Sequence, residues 1–285
     1  MTEIDCHPPS NIAKNFTANI CIAKCNACTS RLLILGFLAG AFISFGAMLS
    51  LLAGHDSAGY LGFGLSRIIS GAVFSTGLMM VVVAGAELFT GNNLILMSLM
   101  DKKIPLKKLL RNWFLVYVAN FAGALFIAIL FYYSGIWGFN HERLGSFTYS
   151  VAVNKVNLTF AEALVRGILC NWLVCLAVWM STASRSVIGK IFAVMFPIMT
   201  FVALGFEHSI ANMFFIPAGI LVGQEPVITE MSATMTQNLT QPTFANLWLN
   251  NLIPVTLGNI IGGAFFVGFL YWFVFVRGDR QNNQC

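Results

Sequence analysis

Charge is what this sequence has least of: Asp, Glu, Lys and Arg make up 9% of its 285 residues, where soluble domains carry about a quarter. A chain so poor in charge cannot dress a water-facing surface. With 58% hydrophobic residues and a mean hydropathy of +0.78, it reads as an integral membrane protein. The first 30 residues lack an apolar run, so no cleavable signal peptide is expected. The net charge of +5 points to no nucleic acid, because the basic residues stand at the ends of apolar segments, where they report topology. Histidine is scarce too: His7, His55 and His141 fall in polar segments, leaving His208 without a second span histidine to share a metal or haem. No cofactor is expected. Of the cysteines, Cys6, Cys21, Cys25 and Cys28 cluster near the N-terminus, Cys170 and Cys175 share a predicted span, and Cys285 is terminal. The "CIAKCNAC" spacing invites a metal reading with His7, but structural zinc sites pair two clusters across a longer loop. Reduced thiols are the expectation.

Apolar runs long enough to span a bilayer stand at about 31–53, 67–100, 107–134, 158–182, 188–222 and 248–276. They define a transmembrane domain over 31–276, between an N-terminal segment (1–30) and a C-terminal tail (277–285). The second and fifth runs are too long and too interrupted for one straight helix. The link 135–157 reads as a longer polar segment and 223–247 as a loop. Twelve Lys and Arg residues gather on one side, including Lys24, Arg31, Lys102, Lys103 and Arg277, against Arg67, Arg143 and Lys155 on the other; Arg166 falls inside a span. The richer side is expected to be cytoplasmic, with both termini there, in the plasma (inner) membrane. Ile12, Phe16 and Ile20 recur every four residues, predicting a short amphipathic helix on the cytoplasmic face of the membrane or of the protein.

An internal repeat organises these spans. "GAELFTGNN" (85–93) aligns with "GFEHSIANM" (205–213), matching Gly85 to Gly205, Glu87 to Glu207, Gly91 to Ala211 and Asn92 to Asn212. "ANFAGA" (119–124) and "GNIIGG" (258–263) match Asn120 to Asn259. The chain therefore reads as an all-α membrane protein of six spans, two inverted three-helix repeats with broken second and fifth helices. Broken backbone at membrane depth is tolerated where it is buried in protein or lines a wet cavity. Glu87 and Glu207 are expected to accept hydrogen bonds from the freed N–H groups. His208 faces Leu88 in the alignment, so it breaks the repeat, and it is the prime candidate for transport chemistry.

"AGAELFTGNN", "CNWLVCLAVWMS", "GFEHSIANMFFIPAGI" and "NLIPVTLGNIIGGAFFVG" resemble the signature segments of the formate/nitrite transporter family, and the likeness covers roughly residues 31–276. The resemblance implies an aquaporin-like protomer in a homopentamer within the lipid bilayer, with one pore per protomer passing a small monovalent anion. It also implies that Thr90 and His208 face each other at the pore centre. Phe74 and Leu78 would join Phe201 in one apolar constriction, and Phe89 and Val174 would form another. Lys155 would stand near the external mouth, and Asn171 and Asn259 would line the pore. Formate channels carry paired histidines where this chain has Asn157 and Leu158, and other segments look closer to the nitrite and hydrosulfide branches.

These expectations suggest a mechanism. A bare anion pays many kcal/mol to enter an apolar constriction. Lys155 would concentrate anions at the mouth, Thr90 and His208 would hydrogen-bond them, and His208 could hand a proton to the anion of a weak acid. Glu162 and Arg166, at i and i+4, read as an internal ion pair. Two other classes stay open at this stage: a neutral-solute pore, and an intramembrane enzyme using Ser209 beside His208. Neighbouring helical residues diverge by about 100°, which disfavours the enzyme.

Overall fold

The computed structural model describes residues 6–278, all helix and irregular segments apart from one isolated bridge between Cys6 and Ser184. Cys285 lies outside the described residues. A helical N-terminal segment, α1 (9–26), precedes α2 (Thr29–Gly54) and α3 (Phe63–Gly85). Next come α4 (91–100), α5 (Leu106–Tyr133), α6 (Arg143–Val156) and α7 (Phe160–Ala183). The rest is α8 (Val187–Ala203), α9 (Ser209–Val222), α10 (Pro226–Thr236) and α11 (Phe244–Arg277). Among the described residues five helices, α2, α3, α5, α7 and α11, are long and apolar enough to cross a membrane, and the chain is a multi-pass integral membrane protein. Their outer faces carry exposed apolar side chains such as Ile34, Phe114 and Leu249, which suits a lipid environment rather than water.

Two expected long spans are interrupted. The run 67–100 divides into α3 and α4 around 86–90, and 188–222 divides into α8 and α9 around 204–208. Both links, the polar segment 135–157 and the expected loop 223–247, hold helices. Within 135–157, α6 buries Leu144, Tyr149, Ala152, Val153 and Val156, a stripe diluted by polar neighbours. Within 223–247, α10 turns back from α9 at 108°. Local chemistry sets the helix starts: Thr159 and Glu162 form a reciprocal capping box at α7, and Ser186 caps α8.

The membrane helices cross at glycines. A Cβ on Gly40 of α2 would lie 2.1 Å from Asn120 O of α5, and one on Gly262 of α11 would lie 2.2 Å from Ile168 O of α7. Backbones approach so closely only where there is no side chain. Gly262→Val is therefore expected to abolish the folded protein, read as loss of the monodisperse peak in detergent size-exclusion chromatography. Gly138→Ala, where an added Cβ meets nothing within 4 Å, should elute as wild type.

The N-terminal segment lies on the protein. Ile12 and Phe16 are buried, Phe16 stacks on Trp179 of α7 at 5.5 Å, and Ser98 Oγ of α4 donates to Thr17 O. Cys21 and Cys25 point inward while Cys6 and Cys28 are exposed, and all are free thiols. Burial pushes the Cys21 thiol up to about 12, which keeps it protonated and inert. Among the described residues, no three His, Cys, Asp or Glu side chains come together as a metal site would require.

Candidate functional site

Both breaks begin at a glycine that the backbone demands. Gly85 has φ +89° and Gly205 has φ +74°, in the region that side-chain-bearing residues avoid. Beyond them the chain leaves the helical bonding pattern, and its N–H groups need partners from elsewhere. Glu87 N–H donates to Leu35 O (3.1 Å) and Phe89 N–H to Asn120 Oδ1 (2.9 Å). In the other half Glu207 N–H donates to Arg166 O (3.3 Å) and Ser209 N–H to Asn259 Oδ1 (2.9 Å). The same asparagines then donate. Asn120 Nδ2 reaches Gly36 O and Glu87 O, and Asn259 Nδ2 reaches Gly167 O and Glu207 O. Asn259, expected in the pore wall, is instead a clamp: all its bonding capacity goes to backbone.

The glutamates also differ from expectation. Their carboxylates accept from side chains, while the freed N–H groups go to the carbonyls and asparagines above. Glu207 takes Lys155 Nζ (2.8 and 3.0 Å) and Asn212 Nδ2 (2.6 Å), and Asn251 Nδ2 bridges to Lys155 O (3.0 Å). Glu87 takes Lys24 Nζ (2.9 Å to both oxygens) and Asn92 Nδ2 (2.7 Å), and Asn112 Nδ2 bridges to Lys24 O (3.1 Å). The repeat thus reaches further back than the sequence comparison carried it. Lys24 and Asn26 correspond to Lys155 and Asn157, and the end of α1 corresponds to the end of α6. A Lys-x-Asn triplet just ahead of the first and fourth spans was the available signal. Lys155 is accordingly no free charge at a mouth; it is ion-paired and half-hidden, with its Nζ 5.3 Å from the Phe215 ring centre.

Two cavities open towards the breaks. The first, about 410 Å³, is walled by Phe74, Phe201, Phe215, Lys155, Glu207, His208, Arg67 and Arg166. The second, about 510 Å³, is walled by Leu78, Leu88, Val178, Glu87, Lys24, Arg31 and Cys21 of α1, among others. Glu207 and its repeat equivalent Glu87 thus face different cavities. Phe74 and Phe201 meet edge to face at 5.7 Å on the first. Leu78, one helical turn from Phe74, lines the second instead of joining them. Phe89 and Val174 are buried but line neither cavity; Phe89 packs edge-on against Tyr117 and Trp113.

One residue from each break forms a pair at the core. Thr90 Oγ1 and His208 Nε2 are 2.9 Å apart and buried, and the His208 ring lies against Phe201 at 5.9 Å. His208 is the N-cap of α9, where its Nδ1 accepts the Ala211 N–H at 3.1 Å. That bond assigns the ring proton to Nε2, facing Thr90. Both ring nitrogens are thereby engaged, neither with Ser209, so no nucleophile–base pair exists here. Thr90 is backed in turn: its carbonyl accepts Asn171 Nδ2 (3.2 Å) and Cys175 Sγ (3.3 Å). Asn171, expected in the pore wall, is fully buried behind it and also holds Asn259 O at 2.6 Å. Glu162 and Arg166 stand 3.8 Å apart as an exposed pair, not an internal one.

Comparison with known proteins places this geometry. The family model described as "Formate/nitrite transporter" matches residues 11–273. A probable formate transporter of Methanothermobacter thermautotrophicus is 42% identical over 94% of this chain and 97% of its own. The formate channel FocA of Escherichia coli K12 is 41% identical over 87% of each chain. A solved pentameric formate channel with formate bound superposes with a TM-score of 0.77 at 33% identity, covering 87% of this chain and 98% of that one. With a family match over most of its length and relatives at these identities, the chain belongs to the formate/nitrite transporter family of membrane channels and transporters, and is not an enzyme.

Proposed function

We propose that this protein conducts formate or nitrite as the anion, entering from the cavity beside Lys155 and leaving through the one beside Lys24. The Lys24 side is taken as cytoplasmic, with both termini there and six spans in all, by the distribution of basic residues. The protomer works within a homopentamer, as the solved formate channel does. The observation that carries the reading is the Thr90–His208 pair, which offers polar hydrogens between two cavities whose inner ends are apolar.

Because Oγ1 of Thr90 accepts from His208, its own hydroxyl proton is free for an arriving anion. Nε2–H of His208 becomes a second donor once the anion takes its place beside Oγ1. Two donors at the point of greatest dehydration replace part of the lost water. Handing a proton to the anion asks more. A neutral imidazole is a poor acid, so His208 would first need a second proton on Nδ1, where the Ala211 N–H now sits. This favours conduction of the anion over a proton relay through His208.

Flux of formate, nitrite, hydrosulfide, acetate and lactate into liposomes tests both parts. Formate or nitrite current is expected, and water permeability without anion current would overturn the channel reading. In His208→Asn, the pH profile of the anion flux, normalised to its maximum, should match wild type between pH 5 and 8; a profile flattened across that range would instead establish the relay.

A further inference from the structure

The cavity beside Lys155 needs a charge to draw anions in, and Lys155 is poorly suited, being bound at 2.8 and 3.0 Å by the carboxylate of Glu207. Two other cations line the same cavity, Arg67 and Arg166. Arg67 spends its hydrogen bonds on neutral acceptors, the carbonyls of Val202 (2.7 Å) and Ala203 (3.1 Å) at the end of α8. Carbonyls orient a guanidinium without cancelling its charge. Among the described residues Arg166 pairs with the carboxylate of Glu162, at 3.8 Å, and the two side chains are 41% and 50% exposed. Pairs this open and this long contribute little. Oε2 of Glu162 is also occupied by the α7 capping box, through Thr159 N (2.9 Å) and Oγ1 (2.8 Å). The Arg166 backbone, meanwhile, accepts the Glu207 N–H, which fixes this residue beside the break that carries His208.

We propose that Arg166, together with Arg67, forms the anion-capture subsite of this cavity, and that Lys155 serves the scaffold. The subsite takes small monovalent anions by charge, holding them at the cavity wall before they shed water at Phe74 and Phe201. The inference rests on the anion-channel reading. The capture force is electrostatic over several ångströms of water, so it is set by charge, is screened within a Debye length of about 8–10 Å, and fades with salt.

The test is initial formate uptake against formate concentration, in right-side-out and inside-out membrane vesicles, at low and high ionic strength. Arg166→Gln should raise the half-saturating concentration about threefold at low salt from the side where Arg166 opens, and by nothing measurable in ~1 M salt, where the Debye length is about 3 Å. Arg166→Lys should restore the wild-type curve, since charge and not the guanidinium fork is required. Arg185→Gln removes the same charge from an exposed turn between α7 and α8 and should leave the curve unchanged. A wild-type curve for Arg166→Gln at low salt, or an equal shift with Arg185→Gln, overturns the subsite. Absence of both formate and nitrite flux in the wild-type protein overturns the channel reading itself.

Discussion

Glu207→Ala should yield protein that unfolds at a markedly lower temperature in detergent and, reconstituted, shows formate flux reduced at least about 100-fold. The carboxylate is 4% exposed and accepts from Lys155 and Asn212, with Asn251 at 3.4 Å. Truncation strands a lysine whose side chain is only 15% exposed. Removing one partner of a buried pair costs about 3–5 kcal/mol, chiefly for the uncompensated charge, out of a typical total stability of about 5–15 kcal/mol. The same reasoning predicts a rescue. Glu207→Gln combined with Lys155→Met removes both charges and leaves an amide oxygen for Asn212, so most of the lost thermal stability should return. Glu87→Ala should cost less, because the Lys24–Glu87 side chains are more open at 26% and 12%. Thermal denaturation followed by intrinsic fluorescence orders the three, and a wild-type midpoint for Glu207→Ala would remove the argument.

These networks show what could and could not be read from the sequence. The backbone-determined part was legible: Gly85 and Gly205 match because both sit at positive φ, and Asn120 and Asn259 match because both clamp a break. A repeat shows that two positions share a role, however, and leaves the role itself open. Hence the glutamates were expected on the freed N–H groups, and the family resemblance set Asn259 in the pore wall, when asparagine, with both donor and acceptor in one amide, is the residue able to hold N–H and C=O of a broken helix together. A carboxylate, an acceptor only, is suited to Lys and Asn donors. The family resemblance joined Phe74 and Leu78 in one constriction. Yet Phe74 lines one cavity and Leu78 the other, so one turn of α3 separates the two. The helix α6 was hidden by the polar residues that dilute its apolar stripe, and α10 because it buries Ser232 and Thr236 beside Ile228 while exposing Val227 and Met231. Lys24 was overlooked because its partner lies 63 residues away in sequence, and the Lys-x-Asn triplet that marks it lies ahead of the segments in which the repeat was sought.

The central pair yields the second large effect. Thr90→Val keeps the volume and branching of the side chain and removes its hydroxyl. Both supports of Thr90 from α7, Asn171 and Cys175, act through its carbonyl, which the substitution leaves in place, so the break should keep its shape. What is lost is the donor offered to the anion and the acceptor that holds His208 Nε2. A hydrogen bond to a charged group is worth about 1.5–3 kcal/mol, and it is felt where the anion is least hydrated. Formate flux should therefore fall about 10- to 100-fold, with thermal stability close to wild type. Thr90→Ser, which retains the hydroxyl, should recover most of the flux. That contrast separates a transport role from a packing role: were Thr90 needed only to fill space, valine would serve and serine would not. Wild-type flux in Thr90→Val, measured in the same liposomes as the serine variant, would mean that the anion finds its donors elsewhere in the pore.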